Sequence, residues 1–214
     1  MIVVVAAGPG VSGSVARRFG REGYDVALLG VDAQVLQELG EGLQAEGVTT
    51  GWSVADVTDV EALTAAITRF GEHSGRIDVL HFNPSAFRQK DPLHLTVAEL
   101  LEDVALGVGA LLTAVQAARP FMGAGGRVTV TGSMAADRPW NEAASLGVQK
   151  AGVRNLVHSL DTTLKADGIR AVSVTVRGTL AREGAFTPDR VAEAIHAAAH
   201  QPEDDWHTEV PYTG

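Results

Sequence analysis

Five short runs of apolar, mostly β-branched residues recur along the chain, at Ile2–Val5, Val26–Leu29, Ile77–Phe82, Arg127–Thr131 and Ala171–Val176. Thr49–Ser53 is a weaker sixth. A strand with one wet face alternates polar and apolar residues. These runs are nearly continuous in apolar residues, so both faces must be covered. Between them, Val11–Glu22, Ala33–Glu46, Val60–Glu72, Val97–Met122 and Ser145–Ala166 repeat their apolar residues at helical spacing. This alternation predicts a doubly wound parallel sheet, a Rossmann-type three-layer α/β/α fold, whose ligand crevice lies at the carboxyl ends of the strands. Thr187 followed by Pro188 opens a last helix running to about His200. Trp206–Tyr212 can add an edge strand. With no repeat, linker or low-complexity tract, residues 1–214 read as a single domain.

Composition removes several function classes. At 214 residues and 45% hydrophobic content the chain can bury one sizeable core. Its 17 basic and 26 acidic residues leave a formal charge of −9, and no basic stripe offsets it, so nucleic acid is excluded as a partner. The chain has no cysteine, which rules out disulfides and thiolate chemistry. Met1–Ala7 is too short and lacks the basic start of a signal peptide. No run approaches the roughly 20 apolar residues of a membrane span. A soluble, cytoplasmic protein with no membrane partner is the expectation. The seven histidines are read as showing no paired metal-ligand spacing, His81 and His158 are assigned nothing, and no metal site is expected.

The first strand leads directly into Ala6-Ala7-Gly8-Pro9-Gly10-Val11-Ser12-Gly13, where Gly8, Gly10 and Gly13 satisfy Gly-x-Gly-x-x-Gly in the required strand–turn–helix context. A pyrophosphate can sit on the free N–H groups of a helix start only where the turn carries no side chains. At the end of the second strand, Asp32 lies about 20 residues past this loop, as a ribose-binding acid should. It is equally placed to cap the helix at Ala33.

Gly126-Arg127-Val128-Thr129-Val130-Thr131-Gly132-Ser133, followed by Leu146-Gly147-Val148-Gln149-Lys150, resembles the short-chain dehydrogenase/reductase family over nearly the whole chain. There a serine follows the strand, and a Tyr-x-x-x-Lys pair stands on the next helix. By this resemblance Ser133 and Lys150 are the catalytic residues. The family's glycine pattern falls on Ala6, Gly10 and Ser12, where only Gly10 is glycine; with Gly8 from the Gly-x-Gly-x-x-Gly match, Gly8, Gly10 and Ser12 are the loop residues expected at the cofactor. Asp56 and Val57 match the segment that contacts adenine, Asn83 stands in the family's Asn-Asn-Ala-Gly, and Lys150 would also bind the nicotinamide ribose. Val31 and Asp32 supply no cation for a 2′-phosphate, which favours NAD(H) over NADP(H), with a chain that binds neither as the alternative.

Two departures concern the chemistry. Leu146 stands in the tyrosine position, and Leu106 in that of the family's central-helix asparagine. As a substitute proton source, Tyr24 precedes the second strand and sits at the wrong edge of the sheet, which leaves Tyr212 and Asp137–Glu142 as candidates. After the sixth strand, Arg177-Gly178-Thr179-Leu180 reaches the last helix without room for a long lid over a substrate. The resemblance implies an oxidoreductase acting on a small carbonyl or alcohol. Two alternatives stay open: a degenerate dinucleotide-binding scaffold, and a non-redox isomerase or lyase. Gly107, Gly109, Ala110, Gly147 and Gly152 make the two long helices smooth, and in the family these helices form the dimer interface, so a homodimer or homotetramer is expected.

Overall fold

The computed structural model describes all residues, Met1–Gly214. Seven strands form one sheet in the order β3-β2-β1-β4-β5-β6-β7, every pair parallel. They are β1 (Ile2–Val5), β2 (Val26–Gly30), β3 (Thr50–Val54), β4 (Val79–Phe82), β5 (Arg127–Ser133), β6 (Arg170–Val176) and β7 (Glu209–Tyr212). All of β1, β2, β4 and β6 is buried, as strands covered on both faces must be. The edge strand expected near the end of the chain is β7, which pairs along β6 from Ser173 and Glu209 onward.

Helices α1 (Val11–Gly20), α2 (Ala33–Ala45) and α7 (Pro188–Ala199) cover one face. On the other lie α3 (Val60–Ser74), α4 (Val97–Val104), α5 (Ala110–Ala118) and α6 (Ala144–Leu164). Their starts follow from local chemistry. Asp32, Asp59 and Thr187 each accept a hydrogen bond from the first turn they precede, and Thr96 forms a reciprocal capping box with Glu99. Pro188 sits in the first turn of α7, where its missing N–H costs nothing.

One expected element is corrected. Val97–Met122 is not a single α-helix: Ala105–Gly109 forms a π-turn between α4 and α5, and Arg119–Phe121 closes as 3₁₀. The cause lies on a different helix. Gln149 of α6 is fully buried, and its Nε2 donates to the carbonyl of Asp103 at 2.7 Å, taking an acceptor that a regular helix would use itself. Gly107 makes room for this wedge, since a Cβ there would stand 2.2 Å from Gln149 Cγ. Smaller differences lie at the ends: α1 stops at Gly20 rather than Glu22, and α6 at Leu164 rather than Ala166.

No helix is long and apolar enough to cross a membrane. Between Val176 and Pro188 the chain carries no helix or strand.

Candidate active site

The turn after β1 is shaped by close approach. Gly13 is the one glycine of the loop that packing demands, because a Cβ there would lie 2.7 Å from the Gly8 carbonyl oxygen. At Gly8 and Gly10 the reverse holds: a Cβ would meet nothing within 4 Å, so the space in front of the turn is open. Gly10 precedes α1 and offers no side chain to its first N–H groups, which therefore face that space uncapped. Ala6, which leads into the turn, has φ 60°, a left-handed conformation that costs a residue with a Cβ.

Ser12 is committed to the scaffold, with Asn83 as its partner. Ser12 Oγ donates to the Ala6 carbonyl at 2.8 Å and accepts from Asn83 Nδ2 at 2.8 Å, tying the loop to the end of β4. What the loop offers a ligand is therefore backbone.

Two cavities open on either side of Asn83-Pro84-Ser85. The smaller, about 220 Å³, is lined by Ala6, Ala7 and Gly30, by Val31 and Asp32, and by Asp56, Val57 and Leu106. Asp32 Oδ1 accepts from the N–H groups of Gln34 and Val35 at 3.0 and 3.1 Å, so the helix cap is real while the residue still lines the cavity. Asp56 Oδ1 accepts from the backbone N–H and then the hydroxyl of Thr58, which holds its carboxyl below the usual range. The lining contains two carboxylates and no cation.

The larger cavity, about 310 Å³, brings together Asn83, Thr131, Ser133, Leu146 and Lys150, with Phe87, Val176 and Leu180 forming apolar wall. Ser133 ends β5 and accepts from the Ala135 N–H at 3.2 Å. Leu146 lies one turn of α6 before Lys150, in the same cavity wall. Lys150 is 5% exposed, and its Nζ donates to the carbonyls of Thr131 at 3.2 Å and Pro84 at 3.4 Å. Burial pushes its pKa down to about 8. Among the lining residues it is the one side chain that ionises near neutral pH.

The candidate substitute proton sources do not line this cavity. Asp137 is bound to Arg154 and Arg177, whose guanidinium groups keep its carboxyl ionised. Tyr212 donates to the Ala185 carbonyl. Tyr24 stands edge-on to Phe19, its pKa raised chiefly by burial. None of the three lines the cavity.

Gln149 and Ser85 went unread in the sequence. Ser85 lines both cavities and donates to Gln149 Oε1 at 3.5 Å, so the π-turn, α6 and the strip between the cavities share one hydrogen-bonded chain. The only signal available was Gly107, one of several small residues that break the apolar helical run.

Fold and crevice together define a Rossmann-type domain with its site at the carboxyl edge of the sheet. A family model described as enoyl-(acyl carrier protein) reductase matches residues 5–209. The chain belongs to the short-chain dehydrogenase/reductase family. It is 29% identical to cis-4-hydroxycyclohexanecarboxylate dehydrogenase of Sinomonas cyclohexanicum over 90% of this chain and 86% of that protein. It is 30% identical to oxidoreductase UcpA of Escherichia coli K12, over 80% of this chain and 66% of UcpA. A short chain dehydrogenase from Burkholderia cenocepacia, solved in complex with NADP, superposes with a TM-score of 0.90 at 26% identity, covering 98% of this chain and 94% of that one.

Proposed function

We propose that this chain is a nicotinamide-dinucleotide-dependent oxidoreductase for small carbonyls or alcohols, in which the Lys150 ammonium replaces the family's phenol as proton donor. The observation that carries it is the lining of the larger cavity, where Lys150 is the sole readily ionised group, Ser133 is close by in the same wall, and leucine fills the phenol's place.

The residues present suit the dinucleotide. The open space before Gly8 and Gly10, with the uncapped start of α1, suits a pyrophosphate. Asp32 would take the adenosine ribose hydroxyls, Asp56 and Val57 the adenine, and Asn83 and Lys150 the nicotinamide side. Two carboxylates and no cation at the adenosine end disfavour a 2′-phosphate, which supports NAD(H) over NADP(H). When bound, the nicotinamide supplies or takes up the hydride. The chain's own part is at the substrate oxygen. Ser133 Oγ donates a hydrogen bond to it, and the Lys150 ammonium stabilises the growing alkoxide and then protonates it. A pKa of about 8 leaves most of the amine charged at neutral pH yet able to release its proton. The cavity's size and its apolar wall suit a small secondary alcohol or ketone, the class named by the Sinomonas relative.

Exposed Leu101, Leu112 and Val148, on α4, α5 and α6, support self-association through these helices, to be read by light scattering. The test of the function is calorimetric titration with NAD⁺, NADH, NADP⁺ and NADPH, followed by a substrate screen. Binding of the NAD pair together with turnover supports the proposal. Binding without turnover favours the degenerate scaffold, for which Leu146 is the motivating residue. No binding to the folded protein overturns it.

A further inference from the structure

At the opposite edge of the sheet from the cavities, the C-terminal ends of α1 and α7 lie side by side. His196 on α7 and His200 at its C-cap stand one turn apart, against the expectation of no paired histidines, and Glu22 follows the end of α1. Glu22 Oε2 lies 2.8 Å from His196 Nε2. One ligand atom from each of the three residues lies within 4.8 Å of the other two.

The rings are held. Their centroids are 4.2 Å apart, and the fully buried ring of Phe19 packs edge-on to His196 at 5.0 Å. His200 Nδ1 is 2.8 Å from the His196 carbonyl, which can only accept. The proton therefore sits on Nδ1, and Nε2 carries the free lone pair. Metal-binding imidazoles are oriented in this way by an outer partner on the other ring nitrogen. Glu22 is oriented similarly: Arg18 Nη1 holds Oε1 at 2.8 Å and leaves Oε2 for the histidine. Arg18 also bonds Glu193 at 2.7 Å, so its single positive charge faces two carboxylates and a cation remains welcome. The function proposed above uses none of these groups.

We propose that Glu22, His196 and His200 form a divalent transition-metal site that clamps α1 to α7. Two imidazoles and one carboxylate are a donor set that zinc accepts, with a fourth position left for water. On binding, His196 shifts its proton from Nε2, where the hydrogen bond to Glu22 holds it, to Nδ1, so that Nε2 and Glu22 Oε2 each bond the metal in place of one another.

The test is titration of the untagged full chain with Co²⁺, followed by visible absorption, then displacement by Zn²⁺ with melting temperature as a second readout. The expected result is saturable one-to-one binding and a rise in melting temperature with Zn²⁺. His200→Ala and Glu22→Gln, both at exposed positions, should each weaken binding at least about tenfold, the lower end of the cost of losing even an outer-shell partner. His94→Ala, at an exposed histidine paired with Asp91, should leave binding unchanged. Absence of saturation at millimolar Co²⁺, or undiminished binding in the Glu22 and His200 variants, overturns the assignment.

Discussion

His81 stands in β4 at the centre of the sheet, between Val4 and Thr129, with no exposed surface. Its Nδ1 meets Thr129 Oγ1 at 3.0 Å, while Nε2 has no partner at all. Desolvation dominates the outweighed hydrogen bond and pushes the imidazole pKa down to about 3. The folded ring therefore stays neutral through the whole range in which an unfolded histidine, near 6.5, takes up a proton. Where the unfolded state binds more protons, stability falls with falling pH. The loss begins near pH 6.5 and continues to about pH 3. At about 1.36 kcal/mol per pH unit it reaches ~2 kcal/mol by pH 5, above the range where ordinary carboxylates titrate. Urea unfolding followed by tryptophan fluorescence, at pH 7.5 and 5.0 (chosen conditions), on the native chain and on His81→Leu isolates it. The leucine variant strands the Thr129 hydroxyl, so its absolute stability is not the readout. The difference between the two pH slopes is. It should be about 2 kcal/mol, and parallel slopes would refute the account of a neutral, partnerless ring.

Three further outcomes follow from the site. Leu146→Tyr restores a phenol in the cavity beside Lys150, and kcat for carbonyl reduction should rise by ~10², within the range of general-acid help. In the native chain, reduction should slow as pH rises through about 8, where the Lys150 ammonium is lost, while alcohol oxidation should speed up over the same interval; Lys150→Met should remove both limbs. Ala6→Gly relieves a positive φ, and a denaturant midpoint shifted upward by roughly 1 kcal/mol of stability is expected, with an unchanged midpoint counting against strain at this turn.

Strands β1 to β6 were legible to within two residues because burial on both faces makes them nearly continuous in apolar residues, as in β1 and β6, whereas the edge strand β7 begins three residues after Trp206. Caps at Asp32 and Thr187 were legible because they act within one turn. The π-turn was not: its apolar residues keep a helix-like rhythm, and the side chain that breaks the ladder, Gln149, comes from another element. A glutamine inside a helical pattern looks like solvent-facing surface, yet this one is fully buried. Ser133, Leu146 and Lys150 were placed by resemblance, and the structure gathers them in one cavity. Asp137 looked available because its arginine partners lie on α6 and beyond β6. Glu22 and His196 are 174 residues apart, so only the packing of α1 on α7 joins them.

The order of strands has a consequence for how the molecule comes into being. The β1–β4 ladder is the sole sheet pairing between the first three strands and the last four, and its ends are 77 residues apart in sequence at Met1 and Asp78. Such a pairing forms only after a long loop has closed, which makes it a slow step of folding. The crevice straddles the same seam, with the glycine turn on one side and Asn83 on the other. Neither half alone presents a complete crevice, so zipping the seam and assembling the site are one event. A ligand that needs both halves rewards only the finished chain, and during synthesis it would act as a late check that the two halves have met.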